Sequence, residues 1–279
     1  MKLLKTRVAS ALIGIIILFA VVFSGQIVLG VSVFLVSVIA MYEYFKSLKN
    51  AGYRPVEAVG YISCAGILLL CSQVVQIPFL DRMISLKSLM FAVFIMIVVL
   101  FSFIIFLHSK YNITDISLTF FGVFYIAFLL SFIVLTRNLN NGFFFVWLIF
   151  IGAFSTDTMA YFSGLLFGKH KLMPAISPKK TVEGSIGGVI GCALTTLLYG
   201  LYLNKSGSID FIPYYHFLLM GILCGIISQI GDWAASAIKR YVKVKDFGSI
   251  MPGHGGALDR FDSILFTAPV IYFYLSQII

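Results

Sequence analysis

The stretch LMFAVFIMIVVLFSFIIFL, residues 89–107, runs without a single charged side chain. As a helix rising 1.5 Å per residue it is long enough to cross the hydrocarbon core of a bilayer, roughly 30 Å thick. Similar runs fill most of the chain, at 8–25, 27–45, 57–80, 86–107, 116–136, 143–167, 184–203, 215–238 and 263–279. Inside lipid each segment must satisfy its own backbone N–H and C=O groups, so runs of this kind read as helices. The expected fold class is all-α, a polytopic membrane protein of about nine transmembrane helices. Composition agrees, with 60% hydrophobic and 11% charged residues, where a soluble domain carries about 25% charged.

Cys64, Cys71, Cys192 and Cys224 all lie inside apolar runs and form no C-x-x-C pair. They read as small buried hydrophobes, with no disulfide or metal role. The first run follows Lys2, Lys5 and Arg7 in the manner of a signal peptide. No small-residue cleavage site follows it, so it is expected to stay as the first helix.

Basic loops remain on the cytoplasmic side during insertion. With the N-terminus inside, the inner segments hold Lys2, Lys5, Arg7, Lys46, Lys49, Arg54, Lys110, Lys169, Lys171, Lys179, Lys180, Lys239, Arg240, Lys243, Lys245 and Arg260. The outer segments hold only Arg82, Lys87, Arg137 and Lys205. So uneven a partition predicts a cytoplasmic N-terminus and a C-terminus on the opposite side. Residues 1–142 then form an N-terminal transmembrane scaffold of about five helices. Residues 143–279 form a C-terminal transmembrane catalytic region with cytoplasmic loops at 168–183 and 239–262. The net charge of +9 lies almost wholly on the inner face, either as topology and attraction to anionic headgroups or as a dock for an anionic substrate.

Two acids stand deep inside these runs. A carboxylate at depth is costly, so it pairs with a cation, lines a wet cavity or serves function. Asp157 sits in STDTMAYFSG and Asp232 in SQIGDWAASAIKR. Gln229, Asp232, Ser236 and Lys239 share one helical face at spacings of three and four. That stripe is either a helix–helix hydrogen-bond seam or the wall of a site reached from the cytoplasm.

Beyond it runs KDFGSIMPGHGGALDRFDS, residues 245–263. Gly253, Gly255 and Gly256 around His254 allow backbone amides to approach an anion. Asp259 and Asp262, at i and i+3, fall on one face of a starting helix and offer the oxygen ligands Mg²⁺ favours beside phosphates. Arg260 between them either contacts phosphate or neutralises its neighbours. His254 reads equally as an acid, a phosphate donor or a loop staple. Upstream, a Ser-Pro turn in SPKKTVEG at 177–184 is expected to place Lys179 and Lys180 before a helix start, as topological anchors or as a phosphate clamp. Glu183 there also reads as a partner of the helix dipole.

These clusters, in this order, resemble the phosphatidate cytidylyltransferase (CDP-diacylglycerol synthase) family. The family signature appears as SAIKRYVKVKDFGSIMPGHGGALDRFD, residues 236–262, preceded by STDTMAYFSGLLFGKHKL and SPKKTVEG. The likeness covers about residues 150–265, and the first five runs are similar only in hydropathy. The resemblance implies transfer of CMP from CTP to phosphatidic acid, giving CDP-diacylglycerol and pyrophosphate. It implies metal ligands at Asp232, Asp259 and Asp262, with Mg²⁺ and a monovalent cation such as K⁺ as cofactors. Catalytic roles are expected for Asp232, Lys239, Arg240, Asp259 and Arg260. Substrate contacts are expected from Lys179, Lys180, Ser236, Lys245, His254, Gly255 and Gly256. A homodimer is compatible with the family, no nucleic-acid partner is expected, and a bacterial plasma membrane with the site facing the cytoplasm is the expected location. The competing readings are a CTP-dependent polyprenol kinase, which would release CDP, and a transporter relaying protons through Asp157 and Asp232.

Overall fold

The computed structural model describes residues 2–72, 86–250 and 255–278. The described chain is nearly all helical: α1 (Lys2–Phe23), α2 (Gln26–Asn50), α3 (Glu57–Ser72), α4 (Leu86–Phe106), α5 (Ile113–Asn138), α6 (Gly142–Phe167), α7 (Val182–Ser206), α8 (Tyr214–Tyr241) and α9 (Leu258–Leu275). Each apolar run of the sequence falls on one of these helices. The last eight residues of the run at 57–80 lie outside the described residues. Among the described residues α2, α5, α6, α7 and α8 are long and apolar enough to cross a membrane. The protein is thus a multi-pass α-helical membrane protein.

One departure from the all-α expectation lies between α6 and α7. Lys171–Met173 (β1) and Ser177–Thr181 (β2) pair as an antiparallel hairpin. The expected Ser-Pro turn is strand instead, because the turn is taken by the residues between Met173 and Ser177. Side chains alternate along a strand, so Lys179 is exposed while Lys180 turns inward. Thr181 ends β2 and caps α7, its hydroxyl accepting from the Gly184 amide at 3.2 Å.

Exposure follows the logic of lipid as solvent. Phe91, Phe94 and Phe101 of α4 and Leu165 and Leu166 of α6 are more than half exposed, while Thr119, Thr156, Thr196 and Thr267 are buried. Apolar faces look outward and hydroxyls bond back to the helix, as Thr156 Oγ1 does to Gly152 O at 2.6 Å. Cys64, Cys192 and Cys224 are buried free thiols, as expected, whereas the side chain of Cys71 lies outside the described residues.

The chain forms two compact units. The first comprises residues 1–138 and 242–259, the second 139–241 and 260–279. In the first, α2, α3 and α5 pack together, with α1 on α2 and α4 on α3 and α5. Asn112 and Asp115 form a capping box at the start of α5. Asp115 Oδ1 also accepts from the Arg54 amide at 2.7 Å, and Thr119 Oγ1 from the Val56 amide at 2.9 Å. These bonds fasten the α2–α3 connection and account for a buried acid without any chemistry.

In the second unit α6, α7 and α8 pack on one another, and small residues set how closely. A Cβ on Gly188 would stand 3.1 Å from Thr156 O of α6, and one on Gly221 would stand 2.6 Å from the Ala193 Cα of α7. Gly231 brings α8 against α9 in the same way, since its Cβ would meet Asp262 O at 2.6 Å. The glycine just before Asp232 therefore sets that acid beside the start of α9.

Candidate active site

In the second unit, the C-terminal halves of α6 and α8, the start of α9 and the hairpin bring three carboxylates and three cations together. Lys180 of β2 forms an ion pair with Asp232 Oδ2. Its ammonium also stands 5.6 Å from the centroid of the Trp233 ring, within cation–π reach. Asp157 of α6 accepts from Ser263 Oγ at 3.3–3.4 Å, and Asp232, Lys180 and Arg260 are its charged neighbours. Asp262 is buried, accepts from the Ser263 amide at 2.7 Å and lies within charge range of Asp232, Asp157 and Lys239. Three acids so grouped repel one another, and Lys180, Lys239 and Arg260 offset that repulsion.

The remaining residues of the stripe divide. Gln229 is a seam residue, donating to Ser185 O at 3.1 Å and to Gly225 O at 2.8 Å. Asp232, Ser236 and Lys239 are half-buried, and the first and third join the charged cluster. Arg240 is exposed and donates from Nε to Ile176 O at 3.3 Å, bracing the hairpin that carries Lys179 and Lys180. Glu183 staples the other end of that hairpin, accepting from the Lys169 and His170 amides and pairing with His170 Nδ1 at 2.6 Å. It is therefore a loop fastening rather than part of a clamp. Two residues absent from the sequence reading emerge here, Ser263 and Trp233. The buried indole Nε1 of Trp233 has no hydrogen-bond partner.

The first unit holds the end of the signature loop. Asp259 is buried, and its Oδ2 accepts from the Phe247 amide at 2.9 Å and the Gly256 amide at 3.0 Å. The Gly256 amide is thus committed to a carboxylate of its own chain, a different use from the anion contact expected of it. Gly255 has φ +85°, a conformation that favours glycine. Lys245 is exposed in the same segment. His254 lies outside the described residues, as does Gly253. Glu43 of α2 is also buried here and accepts from the Ala257 amide at 3.0 Å and the Leu258 amide at 2.9 Å. In sequence Glu43 stands two residues from the end of its run, where an acid looks like an ordinary interfacial charge, so nothing local marks its role.

Hard oxygen donors are what a Mg²⁺ site needs. Among the described residues no three His, Cys, Asp or Glu side chains are grouped to hold one ion. Mg²⁺ is commonly bound by one or two carboxylates, with waters and substrate phosphates completing the shell. Asp232 and Asp262, within charge range of each other, have the chemistry for that mode, and the residues present fit the ion.

A family model described as the cytidylyltransferase family matches residues 5–278. The chain belongs to the cytidylyltransferase family. It is 32% identical over 276 residues to a phosphatidate cytidylyltransferase of Staphylococcus saprophyticus, covering 99% of this chain and all of the relative. Proteins of the same name from Bacillus subtilis and Staphylococcus aureus are 30% and 33% identical, each over 98% of this chain and covering 98% and 100% of the relative. The match thus extends through α1–α5, where the sequence reading found likeness only in hydropathy. It makes the protein a CTP-using nucleotidyltransferase, an activity that accounts for a charged cluster set among apolar helices.

Proposed function

We propose that the protein is the phosphatidate cytidylyltransferase of its cell, forming CDP-diacylglycerol and pyrophosphate from CTP and phosphatidic acid in phospholipid synthesis. The observation that carries this reading beyond the family is the charged cluster of Asp157, Lys180, Asp232, Lys239 and Asp262 on membrane helices and their hairpin. A lipid phosphate oxygen attacks the α-phosphorus of CTP, and the bond from that phosphorus to the bridging oxygen of the β-phosphate breaks. The nucleophile is already anionic, so no strong general base is needed. What the protein supplies is alignment and charge compensation for a reaction among anions.

Metal roles for Asp232, Asp259 and Asp262 rest on donor chemistry and on the resemblance. Bound Mg²⁺ would offset phosphate charge, with K⁺ as a proposed second cation. Lys180, Lys239 and Arg260 take phosphate groups in this reading, and Arg240 holds the hairpin that presents Lys179 and Lys180. Lys180 is paired with Asp232, so in this reading nucleotide phosphates compete with that carboxylate for its ammonium. Ser236, Lys245, His254 and Gly255 remain proposed substrate contacts. The proposed topology has nine spans with the N-terminus in and the C-terminus out. The site then opens to the cytoplasm from a bacterial inner membrane, and a homodimer is the proposed assembly.

Supplying CTP labelled in the cytidine ring, with phosphatidic acid and Mg²⁺, tests the reaction. Label is expected in the lipid fraction, and label confined to soluble nucleotide would replace this reading with a lipid kinase. Within the same assay Lys180→Met is expected to lower kcat/KM for CTP about 10- to 100-fold, less than the roughly 10²–10³ of a single preorganised donor, because Lys239 and Arg260 still offset the phosphate charge. Unchanged kcat/KM would return Lys180 to the role of topological anchor.

A further inference from the structure

We infer that Glu43, a carboxylate from the second helix, is a positioning residue that fixes the end of the signature loop for the cytidylyl transfer. The inference rests on the reaction proposed above and concerns only residues of the first unit. Glu43 is 2% exposed and accepts from two successive amides, Ala257 at 3.0 Å and Leu258 at 2.9 Å. These amides open α9, whose first N–H groups have no partner within the helix.

A helix start is ordinarily capped by a Ser, Thr, Asp or Asn beside it in sequence. Here the cap comes from 214 residues away, and it places a charge out of water, which is costly before compensation. A local cap would serve folding alone at less cost. What the remote carboxylate adds is a fixed location for the loop. Gly248 and Gly256 both lie directly against it, and a Cβ at either would collide with its carboxyl group. Gly256 in turn donates to Asp259 Oδ2, as does Phe247. Glu43 and Asp259 thus hold the segment through four amides, three of them consecutive at Gly256, Ala257 and Leu258 and the fourth at Phe247. A movement of Glu43 is passed to Asp259 and to the glycine turn, which are the loop's proposed contributions to phosphate and metal. Support of this kind, holding the groups that do the chemistry, is what keeps them in productive geometry.

The test uses the full-length protein in lipid-detergent micelles with labelled CTP and phosphatidic acid. Glu43→Gln keeps the shape but turns an NH₂ group toward an amide donor. It is expected to lower kcat/KM for CTP at least tenfold and to raise the Mg²⁺ concentration giving half-maximal rate. Hydrogen exchange at Ala257 and Leu258 should quicken, with exchange in the middle of α2 and of α9 unchanged. Gly248→Ala, which pushes on the same carboxylate while Glu43 is intact, should reproduce the kinetic defect. Variants with wild-type kcat/KM and Mg²⁺ dependence overturn the role of Glu43, and so does a loss of rate that only tracks loss of folded protein. Wild-type protein that forms no labelled lipid overturns the underlying reaction instead.

Discussion

Asp232→Asn is expected to lower CDP-lipid formation by about 10³-fold while the protein remains inserted and folded, because one aimed electrostatic interaction is worth about 10²–10³ in rate and this carboxylate is also a proposed metal ligand. The substitution preserves size and leaves an oxygen that can accept from Lys180. It removes the charge that holds the half-buried ammonium and that lies within range of Asp157 and Asp262. The cluster gains a net positive charge, so nucleotide binding should weaken less than turnover. A split of this kind, with a large loss in kcat and a small change in CTP KM, marks an interaction that matters most in the transition state. The measurement is steady-state lipid labelling across a range of Mg²⁺ concentrations. Turnover within about threefold of wild type would remove Asp232 from the reaction.

Asp259→Asn should be nearly as damaging, at about 10²-fold or more in Mg²⁺-dependent turnover, and it separates two roles that share one side chain. Oδ2 of Asp259 accepts from Phe247 and Gly256, and the carbonyl oxygen of asparagine can accept the same two bonds. The loop staple therefore survives while the negative charge is lost. Asp259→Ala removes both. If the charge matters for metal, Asn and Ala are both inactive, and the Asn protein keeps wild-type thermal stability. An active Asn variant beside an inactive, destabilised Ala variant would show that Asp259 only fastens the loop.

Much of the architecture was legible in advance for a physical reason. Lipid leaves the backbone few options, so uncharged runs such as 89–107 mark helices directly, and the helices fall where the runs do. Acids out of place in such runs drew notice for the same reason, and Asp157 and Asp232 do join one cluster with Asp262. The hairpin was not legible, because three- and five-residue strands carry too little periodicity to outweigh a Ser-Pro turn signal. Nor was Glu43, since a charge near the end of a span is normally interfacial and its partners lie 214 residues away.

The sequence by itself determined that the chain is made of membrane helices and marked the stretch from Asp232 to Asp262 as the proposed seat of its chemistry, because solvent and charge act on each segment locally. Only the tertiary structure decided the partners within it. It gave Lys180 to Asp232, Ser263 to Asp157, and two loop amides each to Asp259 and Glu43. Those pairings depend on how closely glycines such as Gly231, Gly248 and Gly256 let one element approach another, and that distance is a property of packing between segments remote in the chain.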